Sequence, residues 1–175
     1  MNPRTLESRT KKVKILIVDD EPNICRSCIK ILSKKSKYQV HYSLNGYDAL
    51  KMMETEIFDV VVTDLKMSAL GGMEVLRRIK EDYPDTRVIV ITGYATVSSS
   101  VEVMKLGAFD YLPKPFTPHE LRAVVEQALL EKSVHLTARY MVLLLFTVLS
   151  VSNQEAETSY QFVWEQPATS GGVNV

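Results

Sequence analysis

At 175 residues the chain has room for one domain with a sizeable core plus an appendage, and is short for two ordinary domains. Lys plus Arg and Asp plus Glu balance at 21 each, which removes the charge excess that would by itself point to nucleic acid or an anionic membrane surface. Two cysteines and three unpaired histidines exclude a nitrogen and sulfur metal cluster at ligand spacing, so function has to be sought in a local site.

Met1 to Lys12 is polar and has no apolar stretch of signal-peptide type, which predicts a flexible segment over 1–11 and a cytoplasmic domain after it. Val13 to Val18 is an apolar run that stops at Asp19-Asp20-Glu21-Pro22, reading as a buried strand, an acidic turn and a helix with proline at its first position. Ile24, Cys28, Ile29 and Leu32 recur at helical spacing, so Cys25-Arg-Ser-Cys28 reads as helix packing in a reducing compartment. Tyr38 to Ser43 alternates weakly, as an edge strand would, and Asn45-Gly46 ends it. Ala49, Leu50 and Met53 mark a short helix, and Val60, Val61 and Val62 form a β-branched run typical of a strand covered on both faces. Asp64 lies just past that strand.

Gly71-Gly72 opens a helix with Met73, Leu76 and Ile79 toward the sheet, closed at Tyr83-Pro84-Asp85. Val88 to Ile91 is a further buried strand ending at Thr92-Gly93, and Val97, Val101 and Met104 mark the next helix, although Ser98 to Ser100 is poor helix sequence. Ala108 to Leu112 reads as the last strand, followed by Pro113-Lys114-Pro115-Phe116. Thr117-Pro-His-Glu120 forms a capping box before Leu121, Val124, Val125, Ala128 and Leu129. Five strands alternating with five helices predict an α/β, doubly wound, five-stranded parallel sheet with helices on both faces.

In such a sheet the residues just past each strand share one rim, where ligands bind. That rim collects Asp19 and Asp20, Asp64, Thr92 and Lys114. Converging carboxylates repel one another unless a cation lies among them, and an all-oxygen donor set suits Mg2+. A carboxylate nucleophile, a hydroxyl and an ammonium match the needs of phosphoryl transfer to an aspartate.

The blocks Val18-Asp19-Asp20-Glu21-Pro22, Val62-Thr-Asp64-Leu-Lys-Met67, Ile91-Thr92-Gly-Tyr-Ala95 and Tyr111-Leu-Pro-Lys114-Pro-Phe116 resemble the signature blocks of response-regulator receiver domains. The run from Val88 to Phe116 is most similar to receivers of the nitrogen-regulator class of transcription activators. The resemblance covers about Lys12 to Glu131 and implies the flavodoxin-like strand order 2-1-3-4-5. It implies a phosphorelay response regulator in which Asp64 accepts a phosphoryl group from a sensor histidine kinase. Asp20, Asp64 and the carbonyl of Lys66 would hold Mg2+, with Asp19 acting through water. Thr92 and Lys114 would bind phosphoryl oxygens, Thr92 and Tyr111 would form the switch, and Lys114–Pro115 would be cis. Apart from slow autodephosphorylation no enzyme activity is implied. The family's usual proline and glycine after the Asp64 block are absent: Ser68, Ala69, Leu70 and Gly71 stand there, which predicts an altered phosphoryl lifetime.

Other readings are an unphosphorylated docking module and, with less support, a Mg2+-dependent aspartyl-phosphate hydrolase, whose second Asp is replaced here by Lys66. A dinucleotide or flavin binder lacks its Gly-rich loop after the first strand. The receiver is expected over 12–132. Beyond it the charged residues are Arg139, Glu155, Glu157 and Glu165, and Tyr140 to Val151 is apolar all round. An apolar helical extension over 133–152 is expected, packing on the receiver or pairing in a homodimer. Membrane contact is the weaker alternative, because the run is short of a span. A disordered tail is expected over 153–175. No helix-turn-helix, zinc finger or Walker loop is legible, so no direct nucleic-acid binding is expected, and the downstream protein partner is unnamed.

Overall fold

The computed structural model describes residues 12–93 and 96–161. Tyr94 and Ala95 of the third signature block, the first eleven residues and the tail from 162 lie outside the described residues. In chain order the elements are β1 (Val13–Val18), α1 (Pro22–Leu32), β2 (Tyr38–Ser43), α2 (Gly46–Thr55), β3 (Val60–Thr63), α3 (Gly72–Asp82), β4 (Arg87–Thr92), α4 (Val97–Lys105), β5 (Asp110–Pro113) and α5 (Pro118–Gln161). The strands form one parallel sheet in the order β2-β1-β3-β4-β5.

Because side chains alternate along a strand, each central strand feeds two cores. Ile15, Ile17, Val60, Val62, Ile89 and Ile91 meet Cys25, Cys28 and Leu32 of α1 and Leu121, Val125 and Ala128 of α5. On the opposite face Leu16, Val18, Val61, Val88 and Val90 meet Ala49, Met53, Val75, Leu76, Ile79 and Val103. The central strands are buried on both sides, so their apolar runs are continuous.

Local chemistry fixes the helix starts. Pro22 stands at the beginning of α1, and the Asn45 side chain accepts the Asp48 N–H to cap α2. The Thr117 N–H donates to Glu120 Oε2 at 2.6 Å while the Glu120 N–H donates to Thr117 Oγ1 at 3.2 Å, completing the reciprocal box of α5. The serine run is helical after all, because Thr96 and Ser99 form a second reciprocal box at the start of α4. Val97, Val101 and Met104 are nonetheless exposed, and α4 packs through Val103. The last strand starts at Asp110, later than the expected Ala108, following a turn in which Gly107 adopts φ +90°.

The chain divides into two compact units between Lys132 and Ser133. In the second unit helix continues through Gln161, so the stretch 153–161, expected as disordered, is helical. Its polar residues are compatible with helix, and no proline or glycine stands between Asn153 and Gln161 to stop it. Tyr140 to Leu145 are all exposed. Among the described residues no helix is long and apolar enough to cross a membrane.

Candidate functional site

The parallel ladder continues for one residue past the strands and places the rim groups. The Asp19 N–H donates to Ser43 O at 3.2 Å, Asp64 N–H to Val18 O at 2.9 Å, and Lys114 N–H to Thr92 O at 2.9 Å. The ends of all five strands, far apart in sequence, are thereby tied to a neighbour at the same edge of the sheet. Gly72 seats the loop after β3, since a Cβ there would lie 1.9 Å from the Asp64 carbonyl oxygen. Only glycine lets the start of α3 approach the backbone of Asp64 this closely.

Lys114 joins the acids. Its Nζ donates to Asp19 Oδ2 and to Asp64 Oδ2, both at 2.7 Å, and stands 3.8 Å from Glu21 Oε1. Asp19, Asp64 and Thr92 are buried. The second oxygen of each buried acid is also held: Asp19 Oδ1 accepts the Glu21 N–H at 2.9 Å, and Asp64 Oδ1 accepts the Lys66 N–H at 3.1 Å. The Lys114–Pro115 peptide bond is cis.

Burial pushes the Asp19 carboxyl above the ordinary carboxylate range, although hydrogen bonds from Lys114 and the Glu21 amide pull it down. Burial alone would lower Lys114, but the hydrogen bonds and charges of Asp19 and Asp64 hold it above its ordinary value. The ammonium is therefore secure, and Asp19 carries the electrostatic cost of burial.

The two neighbouring aspartates do not act as a pair. Asp19 faces the pocket, whereas Asp20 Oδ2 accepts the Ser68 N–H at 3.0 Å from the loop after β3. The geometry also brings in Glu21: one carboxylate oxygen from each of Asp19, Glu21 and Asp64 lies within 4.8 Å of the other two. Sequence reading used Glu21 only as a helix-start acid. The signal that would have found it is positional, since Glu21 occupies the N-cap of α1 but its side chain makes no capping bond. The all-oxygen cluster fits a hard divalent cation. Tyr111 is partly buried on β5, its hydroxyl 3.4 Å from Ser99 Oγ in the capping box of α4. Thr92 ends β4 and pairs in register with Pro113.

The cysteines take no part in this chemistry. Both are free and buried. Burial pushes Cys25 up to about 11 and Cys28 to about 12, which leaves the thiols protonated and unreactive.

The doubly wound sheet, with buried acids and a lysine at its carboxyl rim, has the architecture that a signalling receiver domain requires. The family profile described as the response regulator receiver domain matches residues 15–126, and the chain belongs to that family. It is 35% identical over 119 residues to the transcriptional regulatory protein ZraR of Klebsiella oxytoca, covering 68% of this chain and 27% of ZraR. It is 32% identical over 119 residues to the DNA-binding transcriptional regulator NtrC of Proteus hauseri, covering 68% of this chain and 25% of NtrC. The chain thus spans about a quarter of the length of these curated relatives, and its receiver is similar to those of the nitrogen-regulator class. Among solved structures, the beryllofluoride-activated NtrC4 receiver domain dimer matches with a TM-score of 0.65 and 34% identity, over 68% of this chain and 98% of that one.

Proposed function

We propose that Asp64 is the phosphoacceptor of a Mg2+-dependent phosphorelay response regulator fed by a sensor histidine kinase. The observation that carries this reading is Lys114 Nζ, 2.7 Å from both Asp19 and Asp64 across three separate strand ends. A carboxylate oxygen of Asp64 forms the new O–P bond as the P–N bond of phosphohistidine breaks, and the electron pair leaves on the imidazole nitrogen. Lys114 stands where the transferred phosphoryl oxygens arrive, and Thr92 contributes a hydroxyl from the end of β4. Asp19, Glu21 and Asp64 would hold Mg2+ by their geometry, and Asp20 with the Lys66 carbonyl by family resemblance. When bound, Mg2+ offsets the negative charge of the phosphoryl oxygens.

The new phosphoryl group adds about 1.5 to 2 negative charges at the rim. Thr92 moves toward it and Tyr111 turns into the vacated space, leaving Ser99 and altering the exposed face of α4 for a protein partner or a second copy. Such couplings are typically about 1–3 kcal/mol. The domain is cytoplasmic in this reading and has no catalytic activity beyond slow autodephosphorylation.

Incubation with acetyl phosphate and Mg2+, followed by intact mass, tests it. The expected result is one phosphoryl adduct on the parent and none on Asp64→Asn. An unmodified parent would favour a docking module instead. Amide spectra of Thr96 to Phe116 that stay unchanged on phosphorylation would remove the switch.

A further inference from the structure

Every carboxylate oxygen that Asp19 and Asp64 present to the pocket is satisfied within the rim itself, by Lys114 or by an amide of the same turn. Asp20 differs. Its Oδ2 takes an N–H from Ser68, 48 residues away, and this bond links the turn after β1 to the loop after β3. We propose that the Ser68 N–H is a latch that holds Asp20 off the cation site, so that full divalent-cation binding requires this hydrogen bond to be released.

The inference rests on the reading of the rim as a Mg2+ site. A carboxylate oxygen that gives its electron density to a divalent cation is a weaker acceptor, so amide and cation compete for Asp20 Oδ2. The donor is a backbone N–H, which any residue except proline supplies. Ser68 stands where the resembling family carries proline, so the latch belongs to this chain's own departure from the pattern. It also gives that departure a definite direction: the loop is tied to Asp20, and cation affinity is lowered. Ser68 is a positioning residue here, acting through Asp20 and touching no reacting atom.

The test is a Mg2+ titration of the full chain labelled with 15N. As Mg2+ saturates, the Ser68 amide resonance should move toward the position of a solvent-exposed amide, and its hydrogen exchange should quicken. Ser68→Pro, which lacks the donor, should bind Mg2+ roughly threefold to tenfold more tightly, the modest end for an exposed hydrogen bond to a charged acceptor. Ser68→Ala retains the N–H and should bind as the parent does. A Ser68 amide that does not respond at saturating Mg2+, or equal affinities for Ser68→Pro and Ser68→Ala, would overturn the latch while leaving the cation site standing. Should Ser68→Pro fail to fold, the parent titration decides alone. Absence of any Mg2+ response at the Asp19 and Asp64 amides would instead remove the cation site, and the latch with it.

Discussion

Lys114 is fixed in charge by two buried carboxylates, and they in turn depend on it. Replacing it with methionine leaves Asp19 and Asp64 facing each other with no cation, and breaking a buried pair in this way costs about 3–5 kcal/mol. Burial already holds the Asp19 carboxyl above its ordinary range, and without the Lys114 hydrogen bond it should titrate higher still than in the unfolded chain, so the folded state binds more protons and the loss shrinks as pH falls. Urea midpoints of parent and Lys114→Met are expected to differ most at neutral pH and to converge in mild acid. Added Mg2+ should restore part of the difference. A second lysine titrates in the opposite sense. Lys80 Nζ donates to Thr86 O at 2.8 Å, and burial, with Arg87 and Lys132 nearby, lowers it from 10.5 to about 8. Between those values the unfolded state binds more protons, so stability rises with pH through that window. The midpoint of the parent relative to Lys80→Met should climb from about pH 8 to about 10.5, and a flat difference would show that Lys80 is fully hydrated.

α4 is the element whose packing is lightest. Its one buried residue is Val103, while Val97 is 83% exposed and Val101 and Met104 are exposed beside it. A helix held this way keeps its shape through its capping box and can shift at small cost to the core. Val97→Glu should change stability by no more than about 0.5 kcal/mol, as surface substitutions do, yet abolish phosphorylation-dependent association measured by light scattering. Val103→Ala, in contrast, should cost about 2 kcal/mol in urea unfolding, from lost methyl burial plus the cavity left behind. Equal stability losses in the two variants would mean that the exposed face of α4 is packed in solution.

At the scale of the whole molecule the chain is two units with different needs. Residues up to Lys132 hold both cores and the entire rim. A chain ending at Lys132 is therefore expected to unfold cooperatively and to accept a phosphoryl group at the parental rate. The full chain exposes six consecutive large apolar residues, Tyr140 to Leu145, a run that in water is stable only when covered. Sedimentation should show the full chain associating as concentration rises and the shortened chain staying monomeric. Monomeric behaviour of both at high concentration would show the run to be covered within a single chain.

The order of elements was legible because central strands buried on two faces leave unbroken runs of Val, Ile and Leu, and because Pro22, Asn45, Thr117 and Glu120 announce helix starts chemically. Strand ends in a parallel sheet share a rim, so Asp19, Asp64, Thr92 and Lys114 could be gathered from sequence alone. Side-chain direction on that rim was not legible. Two adjacent acids read alike, but backbone geometry sends Asp19 inward and Asp20 to the Ser68 amide, and it leaves Glu21 leaning over the cluster. The apolar marks of α4 pointed outward for the same reason: periodicity says that a helix has a face, and only its neighbours decide whether that face is covered. Sequence thus determined which groups reach the rim, through backbone pairing and hydrophobic period. The tertiary structure alone decided which of them touch, because contacts between loops far apart in the chain depend on orientations that no local pattern records.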